Sequence, residues 1–397
     1  MEIRALRPED LPGLRLAFAR AIGFWVGDEY DAKLGRLVDF DGSFVACDGE
    51  EIVGTLAAYR FDVSTPDGGD LPTGGTTLVG VQPTHRRRGV LRGLMEAHIR
   101  WGREREFAAL GLWASETSIY SRFGYGPATR RGGWTLDLLG IDRDRTPELD
   151  LAFIDIHEAA ERLSPIYDHC RSDRPGALSR SPAWWQERRL NDDPARRNGA
   201  SVFQFVVASK DGEDRGYVQF RRKSIWDEAR PRDLIWVEEL IGDAEARRSL
   251  WTFVANMDLA ATVEVFNRPV DDTIPFMFRD GRRARVHVED ALWLAPLDLP
   301  RFLSARRFAA EGALTVGLTD AGEKLRIEGG PEGVQVRRTT EAPDLELQWG
   351  DLPGLWWGDV TARALSEAGR LSGSREAILR AGHLLHVDVL PWCTERF

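Results

Sequence analysis

Apolar and polar positions in the first third of the chain change repeatedly between the period of a strand and that of a helix. A short strand is predicted at 2–6 (EIRAL), and Pro8–Asp10 after it is typical of a helix start. Two strands are predicted within 43–63 around a turn at Asp48–Gly49, because Asp-Gly between apolar runs is a hairpin signal. A further strand at 76–83 (TTLVGVQP) ends in proline, which has no amide for a ladder.

Downstream of this strand the pattern becomes helical and then returns to strands. A helix is predicted from Gly89, with apolar residues at helical spacing at Leu91, Leu94, Met95 and Ile99. Segment 107–115 (FAALGLWAS) predicts a buried strand, 116–123 (ETSIYSRF) a short helix, and 125–138 (YGPATRRGGWTLDL) one further strand. The first third therefore predicts a domain in which helices and strands alternate.

Three consecutive arginines, Arg86–Arg88, stand between the predicted strand and the helix that starts at Gly89. The first turn of a helix presents unpaired amides and the positive end of its dipole. Glycine lets an oxygen approach the backbone closely, so the combination favours a phosphate or pyrophosphate site. An exposed basic helix start on a solvated surface explains the same residues, and both interpretations stay open at this point.

Composition limits the classes of partner. The 397 residues carry a formal net charge of -10, so no broad basic field is available to neutralise nucleic acid phosphates. The same acidic balance is compatible with a small cationic substrate. At this length two or three domains are expected.

Cysteine usage and the start of the chain favour a cytoplasmic protein. Cys47, Cys170 and Cys393 form no Cys-x-x-Cys pair, and their odd number gives no disulfide framework, as expected of a reducing compartment. MEIRALRPED carries charges where a signal peptide has an apolar run. We find no apolar run of ~18 residues and therefore predict no membrane span.

Two short motifs resemble those of known acetyltransferases. Arg86-x-x-Gly89 after a strand resembles the acetyl-CoA loop of the GNAT N-acetyltransferases, with Leu91 where that pattern has glycine or alanine. Tyr120 in YSRFGY resembles the tyrosine-bearing segment of the same fold. Together, within 79–128, PTHRRRGVLRGLM and SIYSRFGYGPAT resemble the Eis (enhanced intracellular survival) aminoglycoside acetyltransferases of actinobacteria, which tolerate that leucine.

The resemblance implies an α+β fold in three parts. These are a catalytic GNAT domain at 1–148, a degenerate GNAT-like domain at 149–290 and a sterol-carrier-like α+β domain at 291–397. It also implies acetyl-CoA as co-substrate, an amine-bearing small molecule or a lysine side chain as acceptor, no metal, and assembly as a hexamer. A non-catalytic protein that binds an acyl-CoA or a lipid is the alternative.

An internal echo supports the second domain. The hairpin pattern at 44–61 recurs at 205–222. Segment 234–254 follows this second hairpin as the predicted cofactor-binding strand and helix follow the first. Its loop, GDAEA, carries Asp243 and Glu245, whose charges would repel a pyrophosphate. We therefore interpret the repeat as structural, although any two hairpins can look alike.

From about Ala291 short strands at regular intervals are followed by helices, as in a sterol-carrier-like module. Trp356 and Trp357 would line a lipid tunnel or fill the core. His383 and His386 have a spacing that suits a metal, but no third ligand is evident, and no metal site is predicted.

By the resemblance, one site holds acetyl-CoA and the reacting groups. Tyr120 is the candidate general acid, because a tyrosine with a pKa of ~10 can protonate a leaving thiolate whose own pKa is ~8.5. A tyrosine packed on the sheet with its hydroxyl bonded to backbone is the alternative. The predicted cofactor contacts are Val79, Gly80, Val81, Arg87, Arg88, Gly89, Val90, Leu91, Arg92, Ser115 and Glu116.

The acceptor side is predicted within GFWVGDEYD. Asp28, Glu29 and Asp31 would attract a polyamine, and Phe24 and Trp25 would stack on a sugar or alkyl surface. A solvated acidic loop explains these residues equally well, and the natural acceptor stays open.

The resemblance also implies that the α-carboxylate of Phe397 is the catalytic base. Segment 383–392 (HLLHVDVLPW) alternates between apolar and polar residues and predicts a strand that delivers the tail. A frayed terminus is the alternative.

Overall fold

The computed structural model of the chain describes residues 1–24, 27–139 and 145–397. Contacts within the chain divide it into two compact units. The first unit comprises residues 1–129, 175–178 and 291–397, and the second comprises residues 130–174 and 179–290.

The elements follow one another in the order below. Up to residue 129 they are β1 (Glu2–Ala5), α1 (Leu11–Ile22), α2 (Glu29–Leu37), β2 (Phe44–Asp48), β3 (Glu51–Ser64), β4 (Asp70–Val81), α3 (Val90–Glu104), β5 (Ala109–Trp113), α4 (Thr117–Tyr120) and β6 (Gly126–Pro127). Up to residue 290 they are β7 (Arg130–Asp137), β8 (Asp150–Ile154), α5 (Ile156–Arg171), α6 (Pro182–Trp184), a π-helical turn (Trp185–Arg189), β9 (Gln204–Lys210), β10 (Glu213–Lys223), β11 (Trp226–Asp227), β12 (Arg230–Pro231), β13 (Asp233–Gly242), α7 (Ala244–Ala255), β14 (Ala260–Arg268), α8 (Ile274–Met277) and β15 (Ala284–Asp290). The remainder contains β16 (Leu292–Pro296), α9 (Leu299–Ser304), β17 (Gly312–Leu318), β18 (Glu323–Gly330), β19 (Gly333–Arg338), β20 (Leu345–Leu347), α10 (Leu352–Trp357), α11 (Ala362–Glu367), β21 (Leu371–Gly373) and α12 (Arg375–Leu384).

The first sheet has seven strands in the order β1-β2-β3-β4-β5-β16-β6. Its two central strands, β4 and β5, run parallel and pair from Thr73–Ala109 to Gly75–Gly111, whereas β4 continues to Val81. The two strands therefore separate at their carboxyl ends. Helix α3 buries its apolar stripe, including Leu94 and Met95, against this sheet.

The second sheet repeats this arrangement. Its seven strands, taken from β8, follow the order β8-β9-β10-β13-β14-β7-β15. Strands β13 and β14 are its parallel pair, and α7 follows β13 as α3 follows β4. The echo between 44–61 and 205–222 thus corresponds to the hairpins β2-β3 and β9-β10.

A third sheet of five strands, in the order β19-β18-β17-β20-β21, lies in the C-terminal part of the first unit. Trp356 and Trp357 are fully buried there. Their rings pack on Phe308 and Phe302, and the Trp356 indole donates a hydrogen bond to the Leu303 carbonyl. Both tryptophans are therefore part of the core.

Two strands lie in a different sheet from the one that chain order suggests. The single strand predicted at 125–138 is two strands: β6 pairs with β16 in the first sheet, and β7 pairs with β14 and β15 in the second. Between them, the amides of Ala128 and Thr129 both donate to the Leu292 carbonyl. The compact units consequently change at 129–130 and 290–291, whereas the first domain boundary was drawn from the sequence at 148–149.

The strand predicted at 383–392 is wrong. Helix α12 extends to Leu384, and the residues after it have neither helical nor strand structure. The tail is instead held by single contacts, such as the hydrogen bond from the Trp392 amide to the Pro175 carbonyl. An alternating apolar pattern arises equally when an irregular segment lies on a surface, because packing alone decides which side chains are covered.

Candidate active site

The end of β4 is distorted where it leaves β5. Thr55 of β3 pairs with Gly80 and Ala57 pairs with Thr77, so two residues of β4 face one residue of β3. The first of these, Leu78, has a φ of 48°, and its carbonyl accepts a hydrogen bond of 2.8 Å from the Thr55 hydroxyl. Such a bulge redirects backbone groups out of the ladder, in this case at the open end of the sheet.

The loop between β4 and α3 turns through two residues with positive φ. Arg87 has a φ of 63°, and Gly89, which precedes the first residue of α3, has a φ of 81°. Glycine suits the second position because a left-handed backbone strains residues with a Cβ. Arg86 fixes the loop by donating from Nη2 to the Ala21 carbonyl at the end of α1, at 3.1 Å. The first amides of α3 have no partner within the helix and are available to an anion.

A pocket of 620 Å³ opens between these elements. It brings together the predicted residues 79–81, Arg87, 89–92, Ser115–Glu116 and Tyr120. The predicted contact Arg88 is exposed and does not line it.

The pocket also contains residues that sequence reasoning did not assign to the site. Ala21 and Ile22 from the end of α1 line it, as do His85 and Arg86. Nε2 of His85 lies 3.2 Å from a carboxylate oxygen of Asp48. Arg86 belongs to the motif that suggested the site, whereas the contribution of α1 depends on long-range packing.

Tyr120 ends the short helix α4 and is 6% exposed. Burial raises the pKa of its hydroxyl, the carboxylate of Glu116 raises it further, and a hydrogen bond with Ser115 opposes both effects. The phenol therefore keeps its proton at neutral pH. Its ring packs edge-on against Tyr125, at 6.1 Å between ring centroids.

The predicted acceptor residues lie around the start of α2. Phe24 is 54% exposed, and Asp28 and Glu29 are also exposed. Their neighbour Asp31 is paired with Arg15 at 2.8 Å. These residues do not line the pocket described above, and Trp25 lies outside the described residues.

The C-terminal tail is docked against the first sheet. The ring of Phe397 lies 5.0 Å from that of Phe61 and 6.1 Å from that of Tyr59, both on β3. Residues 391–395 before it are buried. The last residue therefore packs on the strand next to β4, although it does not line the pocket.

In the second sheet side chains fill the corresponding places. Arg268, at the end of β14, donates to the Leu240 carbonyl of β13 and pairs with Asp272, and all three residues are buried. Asp243 caps α7 by accepting a hydrogen bond from the Ala246 amide, and its carboxylate also pairs with Arg215. A carboxylate thus lies at the start of α7, whereas the corresponding start of α3 presents free amides.

Within residues 1–24, 27–139 and 145–397, no group of three or more His, Cys, Asp or Glu side chains is arranged to hold a metal ion. No helix in the same residues is long and apolar enough to cross a membrane.

Three family models match successive parts of the chain. Acetyltransferase (GNAT) domains match residues 2–128 and 176–293, and a sterol carrier protein domain matches residues 299–394. These matches confirm the predicted fold class. The class is that of an N-acetyltransferase with two tandem GNAT domains and a sterol-carrier-like domain.

Relatives narrow this class further. The chain is 32% identical to an uncharacterized N-acetyltransferase of Streptomyces avermitilis, over 100% of this chain and 99% of that protein. It is 29% identical to the N-acetyltransferase Eis of Mycobacterium tuberculosis, over 94% and 93% of the two chains. The crystal structure of Eis1 from Mycobacterium abscessus superposes with a TM-score of 0.86 at 26% identity, with both chains fully covered. The chain therefore belongs to the Eis family of GNAT-fold N-acetyltransferases, as its two motifs predicted.

Proposed function

We propose that the protein transfers an acetyl group from acetyl-CoA to an amine of an aminoglycoside, a polyamine or a lysine-type acceptor. The observation that carries this proposal is the single pocket that combines the distorted end of β4, the free amides at the start of α3, and the buried hydroxyl of Tyr120. Acetyl-CoA is the co-substrate of the GNAT fold. Each part of the pocket matches a chemical requirement of that molecule.

The phosphates of acetyl-CoA would bind at the start of α3. Amides 90–92 and the dipole of a helix of 15 residues favour negative charge there, and Arg87 adds a full positive charge. The arm that carries the thioester would run along 79–81, where the bulge leaves backbone groups out of the ladder. A backbone amide of this segment would then stabilise the oxyanion that forms during acyl transfer.

Acetyl transfer from a cationic amine requires two protons to leave the nitrogen, one before attack and one as the amide forms, and one proton to reach the thiolate. The amine nitrogen bonds to the thioester carbon, the C–S bond breaks, and the leaving thiolate accepts a proton from the Tyr120 hydroxyl. The raised pKa of Tyr120 keeps this proton in place until the thiolate forms. Transfer to a thiolate is uphill for such a phenol, so the step is completed when the phenolate takes up the proton that the new amide loses and the products leave.

The α-carboxylate of Phe397 is the proposed base. Support comes from the docked tail, whose last ring packs on Tyr59 and Phe61. A free α-carboxyl group has a pKa of ~3.3–3.7, too low to retain a proton taken from an ammonium. We therefore assign to this carboxylate the attraction of the cationic amine and the passage of its proton to water.

The acidic start of α2 is the proposed entrance for the acceptor. Phe24, Asp28 and Glu29 are exposed and combine an aromatic ring with negative charge, which suits a polycation with apolar faces. Trp25 is included on the sequence alone. The family likeness further leads us to propose a hexamer, which the mass of the protein in solution tests directly.

The experiment is CoA release from acetyl-CoA, measured with a thiol reagent, in the presence of an aminoglycoside, spermidine or a lysine-containing peptide. We expect release above the acceptor-free rate for at least one amine, and an acetylated product in mass spectrometry. Release that no amine increases, under conditions where calorimetry shows bound acetyl-CoA, would contradict the proposed function.

A further inference from the structure

A buried chain of hydrogen bonds lies behind the proposed site. The Thr76 hydroxyl is 2.8 Å from the Tyr125 hydroxyl and 2.8 Å from Nε2 of His98, and Nδ1 of His98 is 2.9 Å from the Gly42 carbonyl oxygen. Tyr125 and His98 are fully buried, and Thr76 is 2% exposed. Three polar side chains without access to solvent are costly unless all of them are paired, as they are here.

The direction of these hydrogen bonds follows from their two ends. Burial lowers the pKa of His98 to about 4, so its ring is neutral at neutral pH. A carbonyl can only accept, so the single ring proton sits on Nδ1 and points to Gly42. Nε2 therefore accepts from Thr76, and the Thr76 oxygen accepts from Tyr125. The phenol of Tyr125 is thus held in one orientation.

The chain of bonds joins β4, α3 and the segment that follows α4, and each of these adjoins the pocket. Thr76 lies on β4 immediately after Gly75, the last residue of that strand paired with β5. His98 belongs to α3, whose first turn is the proposed phosphate site. Tyr125 carries the ring on which Tyr120 packs, and its amide donates to the Tyr120 carbonyl at 3.3 Å.

We propose that Tyr125, Thr76 and His98 form a positioning network for acetyl transfer, which holds the Tyr120 hydroxyl in register with the distorted end of β4 and the start of α3. The three residues are positioning residues, because they act through Tyr120 and the backbone and do not line the pocket. This inference rests on the proposed function. The inference adds to the proposed function the residues that fix the position of the Tyr120 hydroxyl.

The test is a matched pair of substitutions at Thr76. Thr76→Val keeps the shape of the side chain and removes the hydroxyl, whereas Thr76→Ser keeps the hydroxyl and removes a methyl group. If the network positions Tyr120, kcat of Thr76→Val falls by about 10-fold to 100-fold with a smaller change in KM for acetyl-CoA, as expected when a reacting group is displaced by a fraction of an ångström. Thr76→Ser keeps kcat within about 3-fold of the original protein, since the hydrogen bonds are retained.

Two further variants guard the result. Tyr125→Phe breaks the same network from its other end and carries the test if Thr76→Val does not fold; we expect the same loss of kcat. Tyr217→Phe removes a buried hydroxyl that donates to Glu239 in the second sheet, and it controls for the general effect of losing a buried hydrogen bond. We expect Tyr217→Phe to keep the kcat of the original protein.

The outcomes are distinguishable. An original protein that releases no CoA with any amine refutes the proposed function. An active original protein with an equally active Thr76→Val or Tyr125→Phe variant overturns the positioning role alone. A Thr76→Ser variant that loses as much kcat as Thr76→Val also overturns it, because packing of the methyl group would then be the important contact.

Discussion

Protonation of His98 should destabilise the fold as the pH falls below about 6.5, the ordinary pKa of histidine. The ring is fully buried, and burial lowers its pKa to about 4, against the smaller opposing effects of the Gly42 carbonyl and the Asp39 charge. Between these two values the unfolded chain binds a proton that the folded chain does not bind. The contribution of the neutral ring to the free energy of unfolding is therefore fully present above the unfolded pKa, and it decreases as the pH falls towards the folded pKa.

The magnitude follows from the difference between the two pKa values. The ordinary value of 6.5 and the folded value of about 4 differ by roughly 2.5 units, and each unit corresponds to about 1.4 kcal/mol. Protonation of this one side chain should thus cost about 3 kcal/mol, a large part of the stability of a typical domain. Solvent does not screen the charge of the protonated ring, because the ring has no exposed surface.

The assay compares the original protein with His98→Gln in denaturant unfolding between pH 7 and about pH 4.5, a window chosen to span most of the titration. Carboxylates elsewhere titrate equally in both proteins, so the difference between the two unfolding free energies isolates His98. The variant is expected to be less stable at pH 7, because glutamine replaces the ring in a packed network. Its deficit should shrink by about 2–3 kcal/mol at the acidic end, where only the original protein has a histidine to protonate.

A difference that stays constant across this range would refute the reasoning. It would mean that His98 takes up its proton in the folded state without penalty, and that its ring is not held neutral between Thr76 and Gly42. Direct titration of the ring by NMR provides the control. A folded pKa near the ordinary value would lead to the same conclusion.

Four further predictions concern the proposed reaction. Tyr120→Phe keeps the ring and removes the proton; kcat should fall by ~10²–10⁴ with acetyl-CoA affinity nearly intact, and wild-type turnover would return Tyr120 to a packing role. Arg87→Glu should weaken acetyl-CoA binding steeply at low salt and less at high salt, since salt screens the interaction between this exposed side chain and a phosphate; calorimetry at two ionic strengths checks this. Replacing Asp28 and Glu29 with amides should raise KM for polycationic amines more than for monoamines; equal effects would place this acidic segment outside the acceptor site. A short Gly-Ser tail after Phe397 moves the terminal carboxylate and leaves every native side chain in place; most acetyl transfer should be lost with acetyl-CoA binding retained, and full activity would exclude the carboxylate.

The sequence by itself determined the local parts of the site. The strand that ends at Pro83, the glycine at position 89 and the apolar stripe of α3 lie within about thirty residues, and each follows from a backbone preference or a periodicity that neighbouring residues express. The spacing of Tyr120 in YSRFGY belongs to the same class of signal. These stretches were sufficient to predict the family, which the relatives confirm.

Only the tertiary structure decided which distant segments meet. The sixth strand of the first sheet is β16, which follows the whole second sheet in the chain. The sixth strand of the second sheet is β7, which precedes every other strand of that sheet in the chain. Thr76 and Tyr125 are 49 residues apart and meet through one hydrogen bond. No local pattern encodes such pairings, because they depend on which apolar faces and unpaired backbone groups remain to be covered once the local elements have formed. The tail at 385–397 illustrates the same limit. Its alternation resembled that of a strand, but within the described residues it pairs with no strand, and the surface on which it packs determines its course.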